Sequence, residues 1–199
     1  MKNIHIEDTG QGFPLVLVHG FLGSSKMWEP QINFFKKNFR VIAPDLPGFG
    51  KSKNIKSHYS IKSTANLLTN CLKEKKIDKY NLLGHSMGGM IAQEMAQTSS
   101  EKISKLICYS TGPIGEMPDR FETIDQSRKK LKKNGLQITA LRIAKTWFIE
   151  KEKAKYFYLC SDAINSASFE ATDNALIAMK KWNGLKNLKT LKNKTLLIW

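Results

Sequence analysis

A serine flanked by glycines is the feature of this sequence that could do covalent chemistry. The run Gly84-His85-Ser86-Met87-Gly88-Gly89 places a hydroxyl at the centre of a G-x-S-x-G pattern. It directly follows an apolar run typical of a strand and directly precedes a segment typical of a helix. A strand that turns at once into a helix strains the turn residue, and Gly84 and Gly88 relieve the resulting steric conflict. The pattern therefore predicts that Ser86 is exposed as a nucleophile.

A second pattern could stabilise the negative charge that attack on a carbonyl creates. His19, Gly20 and Phe21 follow the run PLVLV, which predicts a buried strand. A tetrahedral intermediate needs two N–H donors aimed at its oxyanion. We expect the backbone N–H groups of Phe21 and Met87 to supply them, the latter at a helix N-terminus. Gly20 lets the backbone approach the site, and His19 is expected to orient this loop rather than to act as the base.

The base that a serine nucleophile requires is missing from the pattern. A hydroxyl attacks efficiently when a histidine removes its proton and an acid orients that histidine. All four histidines precede Ser86 in the sequence: His5, His19, His58 and His85. We expect His85 to point to the other side of the turn from Ser86, and His58 to lie at the surface. The strand ending at Tyr109 is followed by Ser110 and Thr111, so it offers no carboxylate at its end to orient a histidine.

No pattern for a metal, a disulfide or a phosphate-binding loop is present. Cys71, Cys108 and Cys160 are odd in number and form no C-x-x-C pair, which predicts buried thiols. The run DLPGFGKS begins at Asp45, where G-x-x-x-x-G-K-[ST] requires glycine, so we interpret it as a tight loop. We expect neither a metal ion nor an organic cofactor.

The elements that must position these residues alternate between short apolar runs and longer amphipathic segments, which predicts a mostly parallel α/β sheet flanked by helices. The predicted strands are Asn3 to Glu7, Pro14 to Val18, Phe39 to Ala43, Tyr80 to Leu83, Ile103 to Tyr109 and Thr195 to Trp199. The predicted helices are Ser25 to Asn38 capped by Ser24, Ile61 to Lys76 capped by Ser60, Met87 to Gln97, and Ala171 to Asn183.

Residues 112–169 interrupt this alternation, because they open on a Gly/Pro-rich stretch and then run helical without a strand. We expect an inserted helical cap there, with residues 1–111 and 170–199 forming the core. Asp119, Asp125 and Asp162 lie in this cap with no histidine to orient. Its aromatic residues are expected to pack the cap rather than to line a substrate pocket: Trp147, Phe148, Tyr156, Phe157 and Tyr158.

The composition limits the class of partner. The chain has 199 residues and a net charge of +15, but only four of its 32 basic residues are arginine, and the charge is spread along the chain. Nucleic-acid recognition favours arginine and clustered charge, so we expect no nucleic-acid partner. No stretch is apolar enough to span a membrane and the N-terminus does not resemble a signal peptide, so a cytoplasmic protein is expected.

The motifs H-G-F, D-L-P-G-F-G-K-S and G-H-S-M-G-G occur in the order and at the strand ends typical of the α/β-hydrolase fold family. The chain resembles this family, strongly as far as Tyr109. The resemblance implies Ser86 as the nucleophile, Phe21 and Met87 as the oxyanion donors, and cleavage of a small ester, lactone or carbon–carbon bond through an acyl-enzyme. The alternative is a non-catalytic protein that binds a small molecule in the same pocket.

The resemblance also implies an acid after the strand Thr195 to Trp199 and a histidine after one further strand. We therefore expect a chain that stops before its acid and base, lacks a final strand and helix, and is nearly inactive as it stands. The sheet edge left unpaired predicts self-association.

Overall fold

The computed structural model describes residues 4–118 and 120–199, in which a six-stranded sheet carries helices on both faces. The strands are β1 (Ile6–Thr9), β2 (Phe13–Val18), β3 (Phe39–Pro44), β4 (Tyr80–His85), β5 (Ile103–Tyr109) and β6 (Lys194–Ile198). The helices are α1 (Glu29–Phe35), α2 (Ile61–Glu74), α3 (Met87–Thr98), α4 (Ile124–Lys145), α5 (Phe157–Asn165), α6 (Phe169–Lys181) and α7 (Leu185–Leu188). The predicted α/β class is confirmed.

The strands lie across the sheet in the order β1-β3-β2-β4-β5-β6. The chain goes from β2 to β3 on one side and then continues with β4 on the other side of β2, so the order of connection reverses at β2. Strand β1 is antiparallel to β3, and every other neighbouring pair is parallel. Strands β2 and β4 are adjacent, with Val18 opposite Gly84 at their carboxyl ends. In open α/β sheets, ligands bind outside the carboxyl ends of the strands at such a reversal. The residues that follow β2 and β4 are therefore placed where this topology puts a binding site.

The apolar runs of the central strands are buried on both faces of the sheet. Leu15, Leu17 and Val41 pack with Trp28 on one face, beneath α1. Val16 and Ile42, one residue further along their strands, join the larger cluster that includes residues of α2 and α3 on the other face. Helices cover both faces of a parallel sheet, so successive side chains along each central strand must be apolar although they point to opposite faces.

The first predicted helix differs from the structure. Residues Ser25–Trp28 form a 3-10 turn and α1 begins only at Glu29, ending three residues before the predicted Asn38. Pro30 fits the first turn of a helix because its missing N–H has no partner there, so α1 begins beside it. Ser24 was expected to cap the helix, but its side chain makes no capping hydrogen bond. Ser60 does cap α2, accepting from the N–H of Ser63.

The region expected to form a cap contains α4 and α5 and no strand among its described residues, apart from an isolated bridge between Ile114 and Asn183. Helix α4 bends at Gly135, whose φ of 78° and ψ of 172° are not helical. Helix α6 starts at Phe169, two residues earlier than predicted, and Ser168 caps it. Asn3, the predicted start of the first strand, and Asp119 lie outside the described residues.

Two further expectations concern the burial of the cysteines and the ability of a helix to span a membrane. Cys108 and Cys160 are buried free thiols as predicted, whereas Cys71 on α2 is partly exposed. Across the ranges 4–118 and 120–199, the helices are too short or too polar to cross a bilayer.

Candidate active site

Ser86 occupies a strained turn between β4 and α3. Its φ of 52° and ψ of −120° fall in a region that non-glycine residues rarely adopt. Its N–H donates to the carbonyl of Tyr109 at 2.9 Å, and its carbonyl accepts from Thr111 Oγ1 and from the N–H of Gly89, both at 2.8 Å. Bonds to β5 on one side and to α3 on the other hold the backbone in this conformation.

Two glycines allow this turn to form because backbone segments meet there. A Cβ on Gly88 would lie 2.2 Å from the carbonyl oxygen of Val18, at the end of β2. A Cβ on Gly84 would lie 2.2 Å from the carbonyl oxygen of Gly88. Both distances are far inside van der Waals contact, so only glycine lets α3 begin this close to the sheet.

The loop after β2 brings a free amide group beside this turn. The N–H of Gly23 donates to the carbonyl of Gly20 at 3.1 Å, and a Cβ on Gly20 would lie 3.1 Å from Ser86 Cβ. Within the described part of the chain, the N–H groups of Phe21 and Met87 donate no hydrogen bond to another residue. Unpaired amides at a helix N-terminus and in an adjacent loop can stabilise an anion.

His19 is fully occupied by two hydrogen bonds. Its Nε2 accepts from the N–H of Leu46 at 3.0 Å, which leaves the proton on Nδ1, 2.8 Å from the carbonyl oxygen of Gly20. Burial lowers the pKa of His19, although its bond to Gly20 and the carboxylate of Asp45 act in the opposite direction. With both ring nitrogens engaged, His19 joins the β2 and β3 loops and has no free nitrogen to accept a proton.

His85 and Ser86 both contribute to the lining of one cavity, and no hydrogen bond joins their side chains within the described residues. The His85 ring packs against Tyr109 and Trp28, with centroids 5.0 Å and 6.2 Å away. Burial, with a smaller contribution from His19, lowers the pKa of His85 to about 4. The imidazole is therefore neutral at pH 7 and is held as part of the aromatic wall.

The cavity above Ser86 has a volume of about 430 Å³, which is within the range of small-molecule sites. Trp147, Phe148 and Tyr156 line it, which is the alternative that the sequence favoured less, and Phe148 also packs against the core. Phe157 is buried and packs against Phe148 at 5.7 Å, and Tyr158 is half exposed outside the cavity. The sequence could not separate these roles because the cavity forms between segments that are distant along the chain.

Asp45 has a structural function that the sequence analysis missed. Its side chain is buried, and its two carboxylate oxygens accept from the N–H of Ser25 at 2.5 Å and of Lys51 at 2.8 Å. A Cβ on Gly50 would lie 2.4 Å from its carboxyl carbon. Asp45 thus ties the loops after β2 and β3 together. Its place directly after a strand, in a glycine-rich loop, was the available signal.

The remaining candidate acids and bases are engaged away from Ser86. Asp162 pairs with Lys26 at 2.6 Å and Asp125 pairs with Lys180. His5 lies 3.7 Å from Glu7 on β1, and His58 is exposed at a separate small cavity. In the two described ranges, no three His, Cys, Asp or Glu side chains are placed to hold a metal ion.

Ser86 lies in a strained turn between a strand and a helix, where the strand order of a parallel sheet reverses. This arrangement is typical of the class of α/β proteins with the hydrolase fold. Residues 14–192 match the family described as alpha/beta hydrolase fold, and the chain belongs to that family.

Several relatives found by comparison are named as hydrolases or esterases. The chain is 29% identical over 155 residues to an (E)-2-((N-methylformamido)methylene)succinate hydrolase of Acinetobacter baylyi, a match that covers 77% of this chain and 57% of the relative. It is 38% identical over 111 residues to a pimeloyl-[acyl-carrier protein] methyl ester esterase of Legionella pneumophila, covering 56% and 43%. A thermophilic esterase from Thermogutta terrifontis superposes with a TM-score of 0.85 at 27% identity, covering 98% of this chain and 73% of that structure. The matches thus span about half the length of the curated relatives.

Proposed function

We propose that the protein is a serine hydrolase that cleaves a small ester, lactone or carbon–carbon bond through an acyl-enzyme. The observation that carries the proposal is the conformation of Ser86, which is held at a φ of 52° where β4 meets α3 and which lines the cavity. Strain of this kind persists only where the surrounding structure fixes it, and it concentrates at functional sites. The names of the relatives support the same class of reaction.

In the proposed reaction, Ser86 Oγ forms a bond to the substrate carbonyl carbon while a base removes its proton. The carbonyl oxygen becomes an oxyanion that the N–H groups of Phe21 and Met87 stabilise, each worth about 3 kcal/mol. The leaving group departs with a proton, and water then cleaves the acyl-enzyme to release the acid and restore the Ser86 hydroxyl.

The 199 residues do not supply the base at the place where this family has it, which is after the nucleophile in the sequence. No histidine follows Ser86 in the sequence, and His19 has no free ring nitrogen. His85 adjoins Ser86 and lines the cavity, but its lowered pKa of about 4 makes it a weak proton acceptor at pH 7. We therefore expect slow turnover by this chain alone and faster turnover when a base is provided.

The test combines labelling of the nucleophile with rescue by an added base. With imidazole added as the base, a fluorophosphonate probe should form an adduct on Ser86 and not on Ser110, the other serine that lines the cavity. Hydrolysis of p-nitrophenyl acetate should be slow in plain buffer. It should rise with added imidazole, or with a C-terminal extension that carries an acid and a histidine, by a Ser86-dependent increment.

Ser86→Ala is the matched control, since imidazole itself cleaves activated esters and only the difference between the two proteins reports on the site. Equal rates for the original chain and Ser86→Ala under all these conditions, together with no adduct on Ser86, would contradict the proposal. Binding of a ligand in the cavity without any adduct would instead support the non-catalytic binding protein.

A further inference from the structure

We propose that the cavity above Ser86 selects substrates whose enclosed part is uncharged and apolar, and disfavours those that place a carboxylate or phosphate there. This inference rests on the proposed function, because it names the substrate class of that same site. It also distinguishes the chain from its relative in Acinetobacter baylyi, which is named for a succinate derivative.

The side chains of the cavity wall are the first argument. None of them is Asp, Glu, Lys or Arg, although these four types make up 25% of the sequence. The wall is instead built largely from aromatic and thioether side chains from both the core and the cap: Met27, Trp28, Tyr109, Trp147, Phe148 and Tyr156. Surfaces of this kind bind apolar and aromatic groups.

The histidines of the wall do not supply a positive charge. His85 has a pKa lowered to about 4, chiefly by burial, and His19 also has a lowered pKa with both ring nitrogens bonded inside the protein. Lys26 is paired with Asp162 at 2.6 Å and does not line the cavity. The lining side chains therefore offer a carboxylate no cation, and away from the N–H groups of Phe21 and Met87 a carboxylate would lose water without gaining a partner for its charge, which is costly.

The net charge of +15 acts in the opposite direction over long distances, since it attracts anions to the protein. At physiological ionic strength this attraction decays over about 8 Å. Approach to the protein and binding inside the cavity therefore have opposite charge preferences. Raising the salt concentration weakens the long-range attraction of anions to the protein and leaves the preference of the cavity for uncharged ligands unchanged.

The experiment compares two ligands of the same shape that differ in charge. Binding of 4-(4-carbamoylphenyl)butanamide, the amide, and of 4-(4-carboxylatophenyl)butanamide, the carboxylate, to the purified 199-residue chain is measured by calorimetry at 0.15 M and 0.5 M salt. Both ligands present the same butanamide group to the N–H groups of Phe21 and Met87 and differ in charge only at the ring. We expect the amide to bind at least about tenfold more tightly, with a ratio that does not fall at the higher salt concentration. Equal or tighter binding of the carboxylate, or no binding of either ligand to the folded protein, would overturn the proposal.

Two tyrosines provide a matched pair of variants that locates the binding. Tyr156 lines the cavity and Tyr158 does not, although both are close to half exposed. Tyr156→Ala should weaken amide binding about fivefold, and Tyr156→Phe should restore it because the ring makes the contact. Tyr158→Ala should leave it unchanged. An equal loss in Tyr156→Ala and Tyr158→Ala, or no loss in Tyr156→Ala, would place the ligand elsewhere and overturn the assignment.

A third variant adds the missing charge. Trp147 lines the cavity and is 42% exposed, so Trp147→Arg introduces a cation at the wall without burying it. We expect the preference for the amide to shrink by several fold, and an unchanged ratio would count against the proposal. All of these measurements report binding and none of them depends on turnover. A chain that binds the amide but never reacts would refute the proposed hydrolysis and leave this inference intact.

Discussion

Two histidines border Ser86, and the structure gives them different roles. His19 is held by hydrogen bonds at both ring nitrogens, so it acts as a connector between the loops after β2 and β3. His85 is held by packing against Tyr109 and Trp28. Because the His85 ring is neutral at pH 7 and makes aromatic contacts, an aromatic ring that cannot take up a proton can replace it while most of the packing is kept.

The lowered pKa of His85 predicts how stability depends on pH. An unfolded histidine takes up a proton near pH 6.5, whereas His85 in the fold does so only at about pH 4. The unfolded state therefore binds more protons in this window, and the free energy of unfolding falls as the pH is lowered from 6.5 to 4. His85 contributes up to about 3 kcal/mol to this loss.

His85→Phe tests this, because it keeps an aromatic ring and removes the titrating group. Urea unfolding between pH 4 and pH 7 should show a shallower acid limb in this variant. His58→Phe, at an exposed position, should retain the limb of the original chain. Identical pH profiles for His85→Phe and the original chain would show that His85 is not buried as described.

At the scale of single residues, the sequence was informative where the determinant is local. The turn at Ser86 depends on the glycines beside it, and these are visible as a pattern. The bonds of Asp45 join residues 20 and six positions away, and the His85 wall contacts Trp28 from another element. Such contacts leave no periodic signal in the sequence, so they could not be predicted.

Among the elements, α4 is distinguished by a bend that a buried carboxylate spans. Glu122 accepts hydrogen bonds from Lys130 at 2.6 Å, before the bend at Gly135, and from Arg142 at 2.5 Å, after it. Ser127 donates a third at 2.6 Å. Burial raises the pKa of Glu122, but these bonds outweigh it and lower the pKa to about 2. Glu122 thus fixes the two halves of α4 relative to each other.

Glu122→Gln should destabilise the fold by about 1–2 kcal/mol, because it leaves two cations without their shared anion while both keep some contact with water. The loss should be evident at pH 7 and should shrink below about pH 4.5, because Glu122 takes up a proton there in the unfolded chain while it stays ionised in the fold down to about pH 2. Urea unfolding of both proteins at pH 7 and pH 3 measures this difference.

Glu152→Gln is the matched control, since Glu152 pairs with Lys145 at 3.1 Å on an exposed surface. It should not change the unfolding midpoint measurably. A Glu122→Gln variant that is as stable as Glu152→Gln at pH 7 would mean that the network does not hold α4.

The elements themselves were largely predictable, because buried strands and amphipathic helices produce apolar runs of characteristic length. The start of α1 could not be predicted, because a 3-10 turn and an α-helix have similar apolar spacing. Pro30 is compatible with the first turns of a helix that begins at Ser25 or at Glu29, so it does not decide between them. The lining role of Trp147, Phe148 and Tyr156 was missed for a different reason. Whether an aromatic side chain fills a core or borders a cavity depends on the tertiary arrangement.

At the scale of the whole molecule, the sheet ends in an uncovered strand. Every residue of β6 is exposed, and Leu196, Leu197 and Trp199 are 56%, 74% and 85% exposed. Strand β6 is the last in the sheet order, so one of its edges has no neighbouring strand among the described residues. Such an edge, with apolar side chains around it, is a site for pairing with another chain.

We therefore expect the 199-residue chain to self-associate. Sedimentation should show species heavier than the 22.6 kDa monomer at tens of micromolar, increasing with salt because the net charge of +15 opposes association. Leu197→Lys, which places a charge on the edge, should raise the monomer fraction. Leu188→Lys, at an exposed leucine of α7, should have a smaller effect. A monodisperse monomer across this concentration range would contradict the expectation.

Gly48 and Ala171 set a condition on exchanging parts between related proteins. A Cβ on Gly48, whose φ is 85°, would lie 2.1 Å from Ala171 Cβ, and the carbonyl of Gly48 accepts from the N–H of Ser168 at 2.9 Å. Helix α6 therefore sits directly on the backbone of the DLPGFGKS loop. A chimera that receives this helix from another member will fit only when the donor carries a residue as small as alanine at this point and the recipient loop keeps its glycine. Gly48 and Ala171 must therefore be exchanged as a pair.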